Sequence, residues 1–192
     1  EDRTISQAGK YDNLAERNEF VGPLHGVPIA LKDNYWTIDY PTTGCSKILQ
    51  DNPFVGKDST VASRLRQAGA IIIGKTNMHE WAYGATNEFS SIGPTRNPWN
   101  IEEGSSGSSA GSAAATAAGL VGFSIGTETL GSITSPSQRC GTTGLRPTFG
   151  RVSRSGGMAL CWSLDKIGPI CRNVEDTVLV LSVINGFDPE DK

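Results

Sequence analysis

Hydrophobic and polar positions fall into blocks along the chain. Residues 1–20 are polar and without a clear period, which reads as a helix end or a loop. The texture changes at Val21. Residues 26–31 form a short apolar run, Gly26-Val27-Pro28-Ile29-Ala30-Leu31, that predicts a buried strand ending at Lys32, Asp33 and Asn34. Residues 59–68 predict a helix. Ser59 can cap its first turn, Val61, Ala62, Leu65 and Ala68 share one face, and Gly69 supplies the stop. Residues 70–73 then predict a β-branched strand buried on both sides. A helix followed so closely by such a strand points to an α/β fold, a mixed sheet with helices on its faces.

The least ordinary stretch is 104–119, in which all sixteen residues are Gly, Ser, Ala or Thr. Such a composition suits a flexible linker. A linker would not lead into residues 113–118, a strong helix former closed by Gly119, nor into the apolar residues 120–125, which read as another buried strand. The better reading is a Gly/Ser turn opening a helix without bulk, against which neighbouring backbone can approach closely. Its front end would offer free N–H groups and hydroxyls. A second glycine-bearing turn follows at 126–132. The last clear element is a helix over 174–184, with Asn173 as N-cap, Glu175 and Asp176 at its positive end and Gly186 closing it. No internal repeat is present.

Composition narrows the partners. Seventeen basic and twenty acidic residues leave a net charge of −3, which gives no electrostatic reason to expect direct contact with nucleic acid or an anionic membrane. No apolar run reaches about 18 residues, so no transmembrane helix is expected, and no basic-then-apolar secretory signal is visible. A cytoplasmic location is the expectation, although residue 1 is Glu rather than Met. Cys45, Cys140, Cys161 and Cys171 form no C-x-x-C pair, and His25 and His79 lie far apart. A zinc site is therefore poorly supported, and four reduced thiols are expected.

Hydrolytic arrangements can be tested against the residues. A Ser-His-Asp triad needs a histidine base, and neither His25 nor His79 has a triad context. No G-x-S-x-G elbow occurs, because Gly131-Ser132-Ile133 lacks the second glycine. Gly126 and Gly131 have the spacing of a phosphate loop, but Ser132 stands where its lysine belongs. What remains is a lysine and serines. Taken singly, Lys32 could be a strand-end lysine reaching solvent, Ser108 a helix cap and Ser132 a turn residue.

Together these positions sit in blocks that resemble the amidase-signature family. Residues 26–33 are similar to the segment that bears the family's catalytic lysine. Gly74-Lys75-Thr76-Asn77-Met78 and Gly93-Pro94-Thr95-Arg96-Asn97-Pro98-Trp99 are similar to its intervening blocks, and residues 107–115 to its Gly/Ser signature. Gly131-Ser132-Ile133, Cys140-Gly141, residues 144–148 and Gly168-Pro169 follow in the family's order, so the likeness runs over 21–188. It implies a single domain over 1–192, incomplete at both ends and about half the family's usual catalytic domain. It implies a Ser-Ser-Lys triad with Ser132 as nucleophile, Ser108 as bridging serine beside a cis peptide bond and Lys32 as base. The backbone N–H groups of Thr129, Leu130, Gly131 and Ser132 would form the oxyanion hole. No metal or organic cofactor is implied.

The implied function is hydrolysis of a small-molecule carboxylic amide. The assemblies that the likeness admits are a homodimer and a complex with an amidotransferase partner subunit. Rival readings are the glutaminase subunit of a tRNA-dependent amidotransferase and a non-catalytic binding module. This chain departs from the family's Asp-x-Gly-Gly-Ser-Ile-Arg pattern at Glu128, Leu130 and Thr134, and residues 135–138 replace a more apolar stretch. Those departures favour the free amidase over the glutaminase.

Overall fold

The computed structural model describes residues 2–51 and 56–191. In chain order its elements are α1 (Asp2–Ala15), β1 (Pro28–Lys32), α2 (Thr60–Gln67), β2 (Ile71–Thr76), β3 (Arg96–Asn97), β4 (Asn100–Gly104), α3 (Ala110–Ala117), β5 (Phe123–Glu128), α4 (Thr134–Cys140), β6 (Thr143–Gly144), β7 (Lys166–Cys171) and α5 (Val174–Ile184). Five strands make one sheet in the order β2-β1-β5-β7-β6, and β3 and β4 pair separately. β1 runs parallel to both β2 and β5, whereas β7 is antiparallel to β5 and β6. The sheet is mixed, as the sequence predicts.

Alternation along the central strands sorts the two faces. Ile29, Leu31, Phe123, Ile125 and Ile167 point into a core shared with Val61, Ala62 and Leu65 of α2 and Val180 and Ile184 of α5. Ile29, Leu31, Leu65, Ile125 and Ile184 are fully buried, and each such side chain contributes roughly 2 kcal/mol relative to exposure. Ala30, Lys32, Ser124 and Gly126 occupy the opposite phase, toward α3. There the contacts are small and polar: Ser124 Oγ donates to Ser112 O at 2.7 Å, and Ser112 Oγ donates to Ile125 O at 3.1 Å. A Cβ on Gly111 would lie 2.6 Å from Asn77 N, and one on Gly126 would lie 2.8 Å from Ser109 Oγ. The absence of bulk in α3 is therefore what lets β5 and residue 77 come so close.

The predicted caps are formed. Ser59 Oγ accepts from Ala62 N at 3.3 Å, and Asn173 Oδ1 accepts from Asp176 N at 2.8 Å. Several boundaries differ from the sequence reading. Residues 2–15 form a full helix, where the sequence reading offered a helix end or a loop, and tertiary contacts hold it. Tyr11 stacks on His25 at 4.7 Å, and Tyr11 O lies 3.0 Å from His25 Nε2. The strand expected at 120–125 begins at Phe123, because residues 119–122 finish the preceding helix. Gly119 takes a φ of 70°, and Leu120 N donates to Ala115 O at 3.0 Å, leaving the Leu120 side chain 70% exposed. α3 starts at Ala110, three residues before the alanine run. Ile73 is 39% exposed, so the 70–73 strand is not buried on both sides; β2 is an edge of the sheet. Among the described residues no helix is long and apolar enough to cross a membrane, and no cluster of His, Cys, Asp or Glu suits a metal. All four cysteines are free thiols.

Candidate active site

Strand alternation sends Lys32 toward the front of α3. Its side chain is fully buried, and Nζ donates to Ser108 Oγ at 2.7 Å, to Thr127 Oγ1 at 2.7 Å and to Thr127 O at 3.3 Å. Asn34 Nδ2 donates to the same Thr127 hydroxyl at 3.0 Å. Burial lowers the Lys32 pKa from 10.5 to about 7, although the charges of Asp165, Cys45 and Glu128 pull the other way. An amine in that range is half neutral near pH 7 and can take a proton from a neighbouring hydroxyl. Thr127 can receive both N–H groups of the neutral amine, one on its carbonyl and one on its hydroxyl, which leaves the lone pair for Ser108.

Ser108 is fully buried and follows a cis Gly107–Ser108 peptide bond. Ser109 ties the remaining segments together. Its N–H donates to Ser132 O at 3.2 Å, its hydroxyl donates to Thr127 O at 3.1 Å, and it accepts from Thr127 N at 3.3 Å. Ser132 thus sits beside the Lys32–Ser108 pair through its backbone. Its hydroxyl makes no hydrogen bond among the described residues and borders a cleft of about 360 Å³. Hydrogen bonds of this kind are commonly long or unformed without substrate. Tyr83, Leu130 and Leu160 form the apolar wall of the cleft, and among the described residues no charged side chain lines it.

The segment after β5 carries the four expected oxyanion donors. The N–H groups of Thr129, Leu130 and Ser132 have no partner among the described residues. That of Gly131 joins those holding the Glu128 carboxylate. Glu128 is almost fully buried, and its Oε2 accepts from Ile133 N at 2.8 Å, Thr134 N at 2.9 Å and Thr134 Oγ1 at 3.1 Å. Burial raises its pKa, but these donors outweigh burial and the net shift is downward. Glu128 therefore caps α4, whose own N-cap, Ile133, offers no side-chain acceptor. The two departures at 128 and 134 meet each other: the longer acid reaches the helix start, and Thr134 donates to it.

Thr127, Asn34 and Ser109 were not singled out by sequence. Their signal was weak, since each is a small polar residue one or two places from a stronger motif. Neither histidine ring joins the site, although the His79 backbone N–H donates to Ser108 O at 3.2 Å. His25 Nδ1 accepts from Val21 N at 3.0 Å, and His79 Nδ1 accepts from Asn87 N at 3.1 Å.

The family model described as Amidase matches residues 1–192. A glutamyl-tRNA(Gln) amidotransferase subunit from Moorella thermoacetica is 48% identical over 192 residues, which are 99% of this chain and 39% of that protein. The crystal structure of the native peptide amidase from Stenotrophomonas maltophilia is 42% identical with a TM-score of 0.91, over 98% of this chain and 39% of that one. A structure of a vestigial protein complex that reveals the evolutionary origins of an s-triazine catabolic enzyme, in its inhibitor-bound form, gives a TM-score of 0.95 at 40% identity. It covers 99% of this chain and 42% of that one. The chain therefore spans less than half the length of these relatives.

Proposed function

The chain belongs to the amidase family, and from that premise we propose that it hydrolyses a carboxylic amide through an acyl-enzyme on Ser132. Ser132 Oγ attacks the amide carbonyl. Its proton passes to Ser108, whose own proton goes to neutral Lys32. The relay then returns a proton to the nitrogen of the leaving amine as the C–N bond breaks. Water adds to the ester in the second half, losing its proton to the same relay, and Ser132 is released with its hydroxyl restored. The observation that carries this reading is the fully buried Lys32 Nζ, 2.7 Å from Ser108 Oγ with a pKa near 7. A serine hydroxyl is a weak nucleophile until a positioned base takes its proton, and lysine serves as that base only when neutral.

The unpartnered N–H groups of Thr129, Leu130 and Ser132 support a role in stabilising the tetrahedral oxyanion, where one donor is typically worth roughly 3–4 kcal/mol. The charge-free wall of Tyr83, Leu130 and Leu160 favours an uncharged amide, since a zwitterion would be desolvated there without compensation. A second reading is favoured by the 48% identity to a glutamyl-tRNA(Gln) amidotransferase. In that reading the substrate is glutamine, and the ammonia released passes to a partner subunit.

Treatment with a fluorophosphonate followed by peptide mass mapping tests the proposal. The adduct is expected on Ser132, with labelling and aryl-amide turnover lost in Ser132→Ala. Turnover that survives this substitution excludes the mechanism, and an unlabelled wild type returns the chain to the non-catalytic reading. Glutamine hydrolysis appearing only with a co-purifying subunit would select the second reading.

A further inference from the structure

We propose that Asp165 and Lys166 are positioning residues that aim the Leu130 N–H by pinning Thr129 from two sides; this rests on the amide-hydrolase reading. The register of β5 against β7 pairs Glu128 with Lys166, which brings the start of one strand beside the end of the other. Thr129 leaves β5 at that point. Its hydroxyl donates to Asp165 Oδ1 at 2.5 Å, and its carbonyl accepts from Lys166 Nζ at 2.9 Å. Asp165 is fixed in turn, because Oδ2 accepts from Leu160 N at 2.8 Å and Cys161 N at 3.0 Å.

The consequence follows from peptide geometry. The Thr129 carbonyl and the Leu130 N–H share one planar trans unit, in which they point in opposite directions. Lys166 lines a separate hollow with Arg146 and Phe149, whereas Leu130 lines the cleft at Ser132. Holding the carbonyl toward Lys166 therefore turns the Leu130 N–H away from that hollow. The hydroxyl bond to Asp165 stops the unit from rotating. Beyond it, Leu130 is 83% exposed and Gly131 has a φ of 95°, so the middle of the turn has little packing of its own. The far end is held separately by Glu128. Glu128 holds the turn from the Gly131 N–H onward and Thr129 is pinned before it, so the orientation of Leu130 between them is set by the two clamps.

Thr129→Val removes the hydroxyl at nearly constant shape, Lys166→Met removes the donor to the carbonyl, and Thr129→Ser keeps the bond. Aryl-amide kcat and KM, the rate of fluorophosphonate labelling and Tm would be measured for each beside Ser132→Ala. The valine and methionine variants are expected to lose kcat and labelling rate by about 100-fold, the scale of a displacement of about 1 Å in an active site. KM should stay within about twofold, Tm should hold, and the serine variant should restore activity. Wild-type kcat in both Thr129→Val and Lys166→Met, with Ser132→Ala inactive, would overturn the inference and leave the amidase reading standing. Full activity in Ser132→Ala, or a wild type that neither turns over amide nor takes the label, would overturn both. If Thr129→Val does not fold, Lys166→Met decides.

Discussion

Replacing Lys32 by Met tests whether the buried amine is held near neutrality, and it does so without any substrate. Methionine has similar length and volume, so the cavity is filled while the titrating group is lost. In the folded chain the amine titrates near 7, against 10.5 for lysine in water. Between those values the unfolded chain binds a proton that the folded chain does not. Unfolding then takes up a proton, so stability rises with pH across that window. The penalty of the buried ammonium is complete below about pH 7 and absent above the ordinary lysine value. Integrated from about pH 7 to about pH 9, the difference of nearly one proton amounts to ~2 kcal/mol in favour of the folded state.

The assay is urea unfolding of wild type and Lys32→Met at both pH values. Titrating groups away from Lys32 contribute equally to the two proteins and cancel in the comparison. Loss of the hydrogen bonds to Ser108 and Thr127 shifts the variant by a constant and leaves the slope untouched. Wild type is expected to gain ~2 kcal/mol more than the variant over the interval. Equal gains in the two proteins would show an amine with an ordinary pKa and remove the basis for a lysine base.

Glu128→Ala should destabilise the chain by about 1–3 kcal/mol, because the N–H groups that start α4 lose their acceptor; chemical denaturation reads this directly. Since the Glu128 pKa is depressed, its contribution is present above the usual glutamate range and fades as pH falls through its lower folded value, so the gap between wild type and Glu128→Ala should narrow on acidification. Gly111→Ala drives a methyl group against the backbone of Asn77 and should cost about 1–3 kcal/mol in stability; an unchanged melting curve would refute the close approach. Iodoacetamide at neutral pH should modify half-exposed Cys161 first. Buried Cys140 and Cys171 have thiols pushed up to about 11 and about 12, and peptide mapping that finds either of them modified ahead of Cys161 would contradict their placement.

Much of the frame was legible because its signals are local. Ser59 and Asn173 announce their helices through hydroxyl and amide caps, and the apolar runs around Ile29 and Ile72 announce parallel strands. What escaped depends on partners distant in sequence. α1 is fixed by contacts such as Tyr11 on His25. Leu120 counted as strand because apolarity alone does not separate a strand from the exposed end of a helix. α4 contains Ser135, Pro136 and Ser137, and the sequence pattern assigns no element to it; its start is supplied by Glu128, six residues before Thr134. At the site, Lys32, Ser108 and Ser132 were marked by their motifs. Thr127 was not, since it matters through its bonds to Lys32, and neither were Asp165 and Lys166, whose importance arises from the pairing of β5 with β7. Glu128 and Thr134, which depart from the family pattern in sequence, bond to each other in the fold.

The acylation rate as a function of pH probes the Lys32–Ser108–Ser132 relay most directly. With an aryl amide, or a fluorophosphonate followed under single-turnover conditions, the rate is expected to rise with pH, reach half its limit near the Lys32 value of about 7 and then level off. Lys32→Met should lack that rise and react far more slowly at every pH. A wild-type rate that is flat from mildly acidic to mildly alkaline pH, or a Lys32→Met profile that retains the same limb, would contradict a neutral buried lysine as the base.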